Sequence, residues 1–173
     1  MSDSLIIYSS TDGHTKTICE RIKNFSHDKN TIKIISLYEA AKSDLSEFNK
    51  IIIGASIRYG RHSKELYKFI KLNKNILDKK ESIFFSVNVV ARKPEKNSPD
   101  TNPYIKKFLK ISKWKPKKIE VFAGKVDYPN YNFLDKHIIK FIMFITNGPT
   151  DTSQSYEFTD WSKVDDFSEE LKN

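Results

Sequence analysis

The chain has 173 residues, 38% of them hydrophobic and 30% charged, which supports one domain with a proper core and not two comfortable ones. Lys+Arg number 30 against 22 Asp+Glu, a formal net charge of +8, so an anionic partner is favoured: nucleic acid, an anionic membrane face or a small acidic ligand. The lone cysteine, Cys19, excludes an internal disulfide framework and a thiolate metal cluster, fits a reducing compartment, and reads as a small packed residue.

The apolar run Leu5–Ser9 reads as a short buried strand, and a helix over His14–Ser26 follows, with Ile18, Ile22 and Phe25 at helical spacing. Between them, Ser9, Ser10, Thr11, Asp12, Gly13, His14 and Thr15 form a strand-to-helix turn, where the first backbone N–H groups of the helix lack intrahelical partners. Thr11 or Asp12 would suffice as an N-cap. Four hydroxyls in seven residues exceed that need and suit an anion, which short hydroxyls reach without bulk and the helix dipole favours. The pattern is neither G-x-G-x-x-G nor G-x-x-x-x-G-K-[ST].

Strands are expected at Thr31–Ser36, Lys50–Ala55, Ser82–Val90 and Lys118–Ala123, and helices at Ser63–Leu77, Pro103–Lys113 and Asp160–Leu171. In the Ser63–Leu77 helix, Leu66, Phe69, Ile70 and Leu72 share one side against Lys64, Lys68 and Lys71. Strands such as "KIIIGA" are apolar on both faces, as a parallel sheet between helices requires, and the alternation of strand and helix predicts a doubly wound α/β domain. Ala91–Pro103 reads as a long polar loop with three prolines, and Gly124–Thr152 as an insert after the fifth strand. Ligands of open parallel sheets bind beyond the carboxyl ends of the strands, the edge from which both segments leave.

Within the insert, Phe133–Thr146 predicts an amphipathic helix with Leu134, Ile138, Phe141, Ile142 and Ile145 on one face, preceded by Tyr128, Tyr131 and Phe133. At ~1.5 Å rise per residue it is too short to span a bilayer. It could lie in an anionic membrane interface, cover a sheet edge, or form a contact between copies. No run approaches ~18 apolar residues and no secretory signal opens the sequence, so a cytoplasmic protein is expected.

The turn at Ser9–Thr15, "GASIRYG" (Gly54–Gly60) and "FSVNVVARKPEK" (Phe85–Lys96) together resemble the flavodoxin superfamily. More narrowly, with "TNPYIKKFL" (Thr101–Leu109), Trp114-x-Pro116, "YPNY" (Tyr128–Tyr131) and "FTDW" (Phe158–Trp161), the chain looks like the flavodoxin-type, quinone-dependent protoporphyrinogen oxidases, over nearly its whole length. One departure is Thr11, where the family often has a basic residue. The resemblance implies a flavodoxin-like five-stranded parallel sheet, a single domain over residues 1–173 with the insert at about 124–152. It implies FMN as cofactor. The phosphate would lie on the Ser9–Thr15 turn, and the isoalloxazine between Ser56, Ile57, Arg58, Tyr59 and Gly60 on one side and Phe84, Phe85, Ser86, Val87, Asn88, Val89, Val90, Ala91 and Arg92 on the other. Thr150, Asp151 and Thr152 would close over it.

The implied reaction is the oxidation of protoporphyrinogen IX to protoporphyrin IX in haem biosynthesis, in three two-electron steps, with electrons passed to menaquinone or ubiquinone. Arg58, Arg92 and the nearby Lys93 are candidate substrate contacts, Arg58 or Arg92 anchoring a propionate or the flavin's electron-rich edge, because guanidinium forks suit carboxylates. His14 and His62 could transfer protons, with a surface position expected for His62; no residue is assigned as catalytic acid or base. Tyr128, Tyr131, Phe133, Leu134, Ile138, Phe141, Ile142 and Ile145 are the expected membrane contacts, placing the protein peripherally on the cytoplasmic side of the cell membrane. Alternatives are a flavodoxin-like soluble electron carrier, poorly matched by a charge of +8, or an NAD(P)H/quinone-type flavin reductase. No metal and no nucleic acid is expected, and homo-oligomer formation is left open.

Overall fold

The computed structural model describes residues 4–26 and 31–171. Its frame is a five-stranded parallel sheet of β1 (Ser4–Ser9), β2 (Ile32–Ser36), β3 (Lys50–Ser56), β4 (Glu81–Val87) and β5 (Lys118–Phe122), in the order β2-β1-β3-β4-β5. The strands are apolar on both faces because both faces are covered. Leu5, Ile7, Ile51, Ile53 and Phe84 pack toward α3 (Lys64–Lys79) and α4 (Pro103–Ser112). Ile6, Ile52, Ile83 and Phe85 pack toward α1 (His14–Phe25) and α6 (Trp161–Glu170). Phe84 stacks on Phe108 at 3.8 Å between centroids, with Trp114 edge-on to both. On the other face Phe85 lies under Gly54, where an added Cβ would stand 2.2 Å from the Phe85 ring. Cys19 is fully buried, and burial pushes its thiol far above the ordinary range, so it is packing material.

The strand register pairs Tyr8 with Gly54 and Gly54 with Phe85, which brings the ends of β1, β3 and β4 level at one edge. Strand order reverses direction there, between β1 and β3, and the loops diverge to leave a crevice.

Several elements differ from the sequence expectation. A short helix α2 (Leu37–Ala40) follows β2, held by a capping box in which Ser36 accepts from the Glu39 N–H and the Glu39 carboxylate accepts from the Ser36 N–H. β4 stops at Val87, not Val90: the Asn88 side chain accepts from the Ala91 N–H and winds Val89–Arg92 into a 3-10 turn. Ala91–Pro103 is therefore partly ordered, with a second 3-10 turn at Pro94–Lys96.

The insert is a small module of its own. β6 (Lys125–Asp127) pairs antiparallel with β7 (Ser155–Glu157), and between them come a 3-10 turn at Tyr128–Asn130 and α5 (Phe133–Ile145). α5 buries Met143 against Val126 and Tyr128 and leaves Phe133, Leu134, Phe141, Phe144 and Ile145 exposed, Phe144 by 71%. Tyr128, expected among the membrane contacts, is instead wholly buried, its hydroxyl donating to the Pro149 carbonyl at 2.9 Å. Among the described residues no helix is long and apolar enough to cross a membrane.

Candidate functional site

α1 begins without a side-chain cap, so neither Thr11 nor Asp12 fills the role that capping alone would give them. Gly13 occupies the N-cap position at φ 85°, a left-handed conformation that a side chain would strain, and Ser10 Oγ accepts from its N–H at 3.0 Å. The start of the helix thus faces outward with backbone donors and hydroxyls. Thr15 is 0% exposed and its Oγ1 has no hydrogen-bond partner among the described residues. A buried hydroxyl left unpaired costs about 1–3 kcal/mol, a cost that an acceptor from outside the chain would remove. Beside it lies a cavity of about 250 Å³, walled by the turn at Ser10–Thr15, by Ile57 and Arg58, by Val87, Asn88 and Val89, and by Gly124, Lys125 and Tyr131 of the insert.

His14 anchors this turn rather than facing solvent. Thr159 donates its hydroxyl proton to the Ala123 carbonyl at 2.9 Å, so its oxygen accepts from His14 Nε2–H at 2.6 Å. Burial lowers the His14 pKa and so favours the neutral ring, and Trp161 packs edge-on against it. The "FTDW" segment thereby pins the first turn of α1.

Arg58 is the electrostatic centre of the crevice. Its Nη1 donates to Asp12 at 2.7 Å and its Nη2 to Asp135 of α5 at 2.8 Å, and its guanidinium lies 5.0 Å from the centroid of the Tyr131 ring. The neighbouring Tyr59 hydroxyl also meets Asp135. Burial, with Asp135 and Asp127 nearby, raises the Asp12 pKa against the pull of Arg58. Arg92 is engaged elsewhere, donating to the Val89 and Thr146 carbonyls at 3.0 and 2.7 Å and so clasping the end of α5.

Beneath the crevice, His62 is buried, contrary to the surface position expected from sequence. Its Nε2 lies 3.0 Å from Ser86 Oγ; Asn88 donates to the same oxygen at 3.2 Å, and Asn102 donates to Asn88 at 3.1 Å. This chain of polar groups fixes the loop after β3 relative to the loop after β4. Burial holds the His62 pKa down to about 3, so the imidazole is neutral and structural at ordinary pH.

The structure brings Ser10–Thr15, Ser56–Arg58 and Val87–Val89 to one cavity. Ser9 and Tyr59 line the adjoining groove instead. Phe84, Phe85 and Ser86 lie in the sheet interior, and Val90, Ala91, Arg92 and Gly60 stand off the cavity wall. Asp151 accepts hydrogen bonds from Ser153 and Gln154 within its own turn, and Thr150 and Thr152 do not reach the cavity. Lys93 is half-buried and its backbone N–H closes the turn on Val90. Sequence reasoning missed Gly124, Lys125 and Asp135. The first two border a predicted strand end, where sites form in such sheets; Asp135 carried no signal, being 77 residues from its partner Arg58.

A parallel sheet in this order, with an uncapped helix start and an orphaned hydroxyl at its switch point, defines a flavodoxin-type α/β protein. The flavodoxin domain model matches residues 5–153, and the chain belongs to that family. Within it the chain groups with protoporphyrinogen IX dehydrogenase (quinone): the Leishmania major protein of that name is 40% identical over 96% of this chain and 73% of its own length. The Escherichia coli (strain K12) protein of the same name is 36% identical over 97% of this chain and 93% of its own length. Oxidised Flavodoxin 1 from Bacillus cereus superposes with a TM-score of 0.54 at 15% identity, covering 97% of this chain and 95% of that one, a likeness of fold.

Proposed function

We propose that this chain, as one unit over residues 1–173, uses FMN to oxidise protoporphyrinogen IX to protoporphyrin IX and delivers the electrons to menaquinone or ubiquinone. The observation that carries the reading is Thr15 Oγ1, buried and unpaired beside an uncapped helix start. A phosphate monoester supplies the acceptor oxygens that this position lacks, and the helix dipole favours its charge. Identities of 40% and 36% to proteins named for the reaction support the substrate and acceptor.

The phosphate would be held by Thr15, by the hydroxyls of Ser10 and Thr11, and by the backbone N–H groups that open α1. The ring would lie between Ile57–Arg58 and Asn88–Val89, with Tyr131 at its border. When bound, the flavin supplies the two-electron chemistry. The protein's own part is positional: the His62–Ser86–Asn88–Asn102 chain fixes the two walls, His14 fixes the phosphate turn, and Arg58 offsets Asp12 and Asp135 beside an anionic ligand.

The exposed apolar face of α5, with Lys136 and Lys140 on the same helix, supports peripheral binding to an anionic membrane surface on the cytoplasmic side. A quinone acceptor and an apolar substrate both partition there. The reaction is tested by incubating FMN-loaded protein with protoporphyrinogen IX and a soluble quinone without oxygen. Porphyrin fluorescence that rises only with protein and quinone supports the proposal; no rise above the protein-free control refutes it.

A further inference from the structure

A second, larger hollow adjoins the flavin crevice and none of the roles above uses it. It runs between α2 and α3 at the same sheet edge, has a volume of about 780 Å³, and shares Ser10, Thr11, Ser56 and Arg58 with the smaller cavity as a common wall. That size suits a cofactor- or substrate-sized ligand. Its base is apolar, with Leu37 and Phe69 both buried. Its flanks carry Tyr38 of α2 and Leu72 of α3, exposed by 71% and 73%, although the helical pattern expected Leu72 on the packed side. The helix α2 is only four residues long, so it cannot cover this part of α3 and the hollow stays open.

The rim is cationic. Arg61, Lys64 and Lys68 line it against a single carboxylate, Glu65, and none of the three cations forms a salt bridge among the described residues. An apolar hollow with two or three unpaired cations at its mouth complements a broad apolar body bearing carboxylates. A neutral quinone would leave those charges unanswered, and a nucleotide would not use the Tyr38–Leu72 flanks.

We propose that this α2–α3 groove seats the porphyrinogen macrocycle, its apolar rim against Tyr38, Phe69 and Leu72 and its propionates toward Arg61, Lys64 and Lys68. The assignment rests on the function proposed above, and it puts the substrate against the loop that walls the flavin.

Leu72→Asp and Lys68→Glu test it, both being changes at exposed positions of α3 outside the flavin cavity. Flavin absorbance reports that each variant still folds and loads FMN. The Michaelis constant for protoporphyrinogen IX and the dissociation constant for protoporphyrin IX, read by fluorescence quenching on the FMN-loaded protein, are both expected to rise about tenfold in each variant, while the Michaelis constant for the quinone stays put. Wild-type constants in both FMN-loaded variants would overturn the groove assignment while leaving the reaction intact. A wild-type protein that makes no porphyrin at all would instead remove the functional reading itself.

Discussion

Arg58 and Asp135 join the loop after β3 to the insert helix, Nη2 to Oδ2 at 2.8 Å, while the other guanidinium nitrogen holds Asp12 of the β1–α1 turn at 2.7 Å. One side chain therefore ties three segments that diverge from the sheet edge, and most of it is buried. Removing it leaves the Asp12 and Asp135 carboxylates without their shared counter-charge, beside the proposed flavin site. Arg58→Ala is expected to weaken FMN binding on the order of tenfold and to speed amide exchange across Phe133–Ile145. Unchanged exchange together with unchanged affinity would show that the contact is incidental.

His62 makes stability depend on pH in a definite sense. Its folded pKa of about 3 lies below its ordinary 6.5, so between these values the unfolded chain takes up a proton that the folded one refuses. Its contribution is whole above pH 6.5 and is lost as pH falls toward 3, by no more than ~1.4 kcal/mol per unit. His62→Gln keeps a polar partner for Ser86 and does not titrate. Urea midpoints taken between about pH 7.5 and 5 should fall less steeply in the variant than in wild type; parallel slopes would place the pH dependence elsewhere.

Gly54 is required by packing, not by an unusual backbone. A methyl group there meets the Phe85 ring, which is itself held by Phe122 and Phe167. Gly54→Ala should cost about 1–3 kcal/mol through overpacking, seen as a lower denaturation midpoint at unchanged m-value. A neutral substitution would mean that the Phe85 ring moves aside freely.

Phe141 and Phe144 lie on the exposed face of α5 and contribute little to folding. Replacing both by Asp should change stability by no more than ~0.5 kcal/mol per site and remove sedimentation with phosphatidylglycerol vesicles. A double variant that pellets like wild type would disconnect this face from the membrane.

The sheet was legible because its strands are continuous apolar runs such as Ile51–Ile53, buried on both faces. β4 was drawn too long because Val89 and Val90 look like strand residues; the Ala91 N–H donates to both the side-chain and the backbone oxygen of Asn88 and turns the chain there. α2 carried a readable signal in the capping box at Ser36 and Glu39, but a four-residue helix has no periodicity to support it. β6 and β7 are three residues each and pair across the whole insert, so no local pattern announces them. The Ser9–Thr15 turn stood out by its excess hydroxyls, and Ser10 to Thr15 do line the cavity, yet which hydroxyl stands unpaired depends on packing around Thr15. The burial of His62 and the Arg58–Asp135 contact were hidden for the same reason, since each is a pairing between residues distant in sequence.

The most direct test compares FMN with riboflavin, which lacks the phosphate, in titrations of the flavin-free protein and of its Thr15→Val variant. Wild type should bind FMN at least ~10-fold more tightly than riboflavin, and the substitution should erase most of that preference while leaving riboflavin affinity nearly unchanged. Equal affinity of wild type for the two ligands, or no uptake of either, would contradict phosphate recognition at the start of α1.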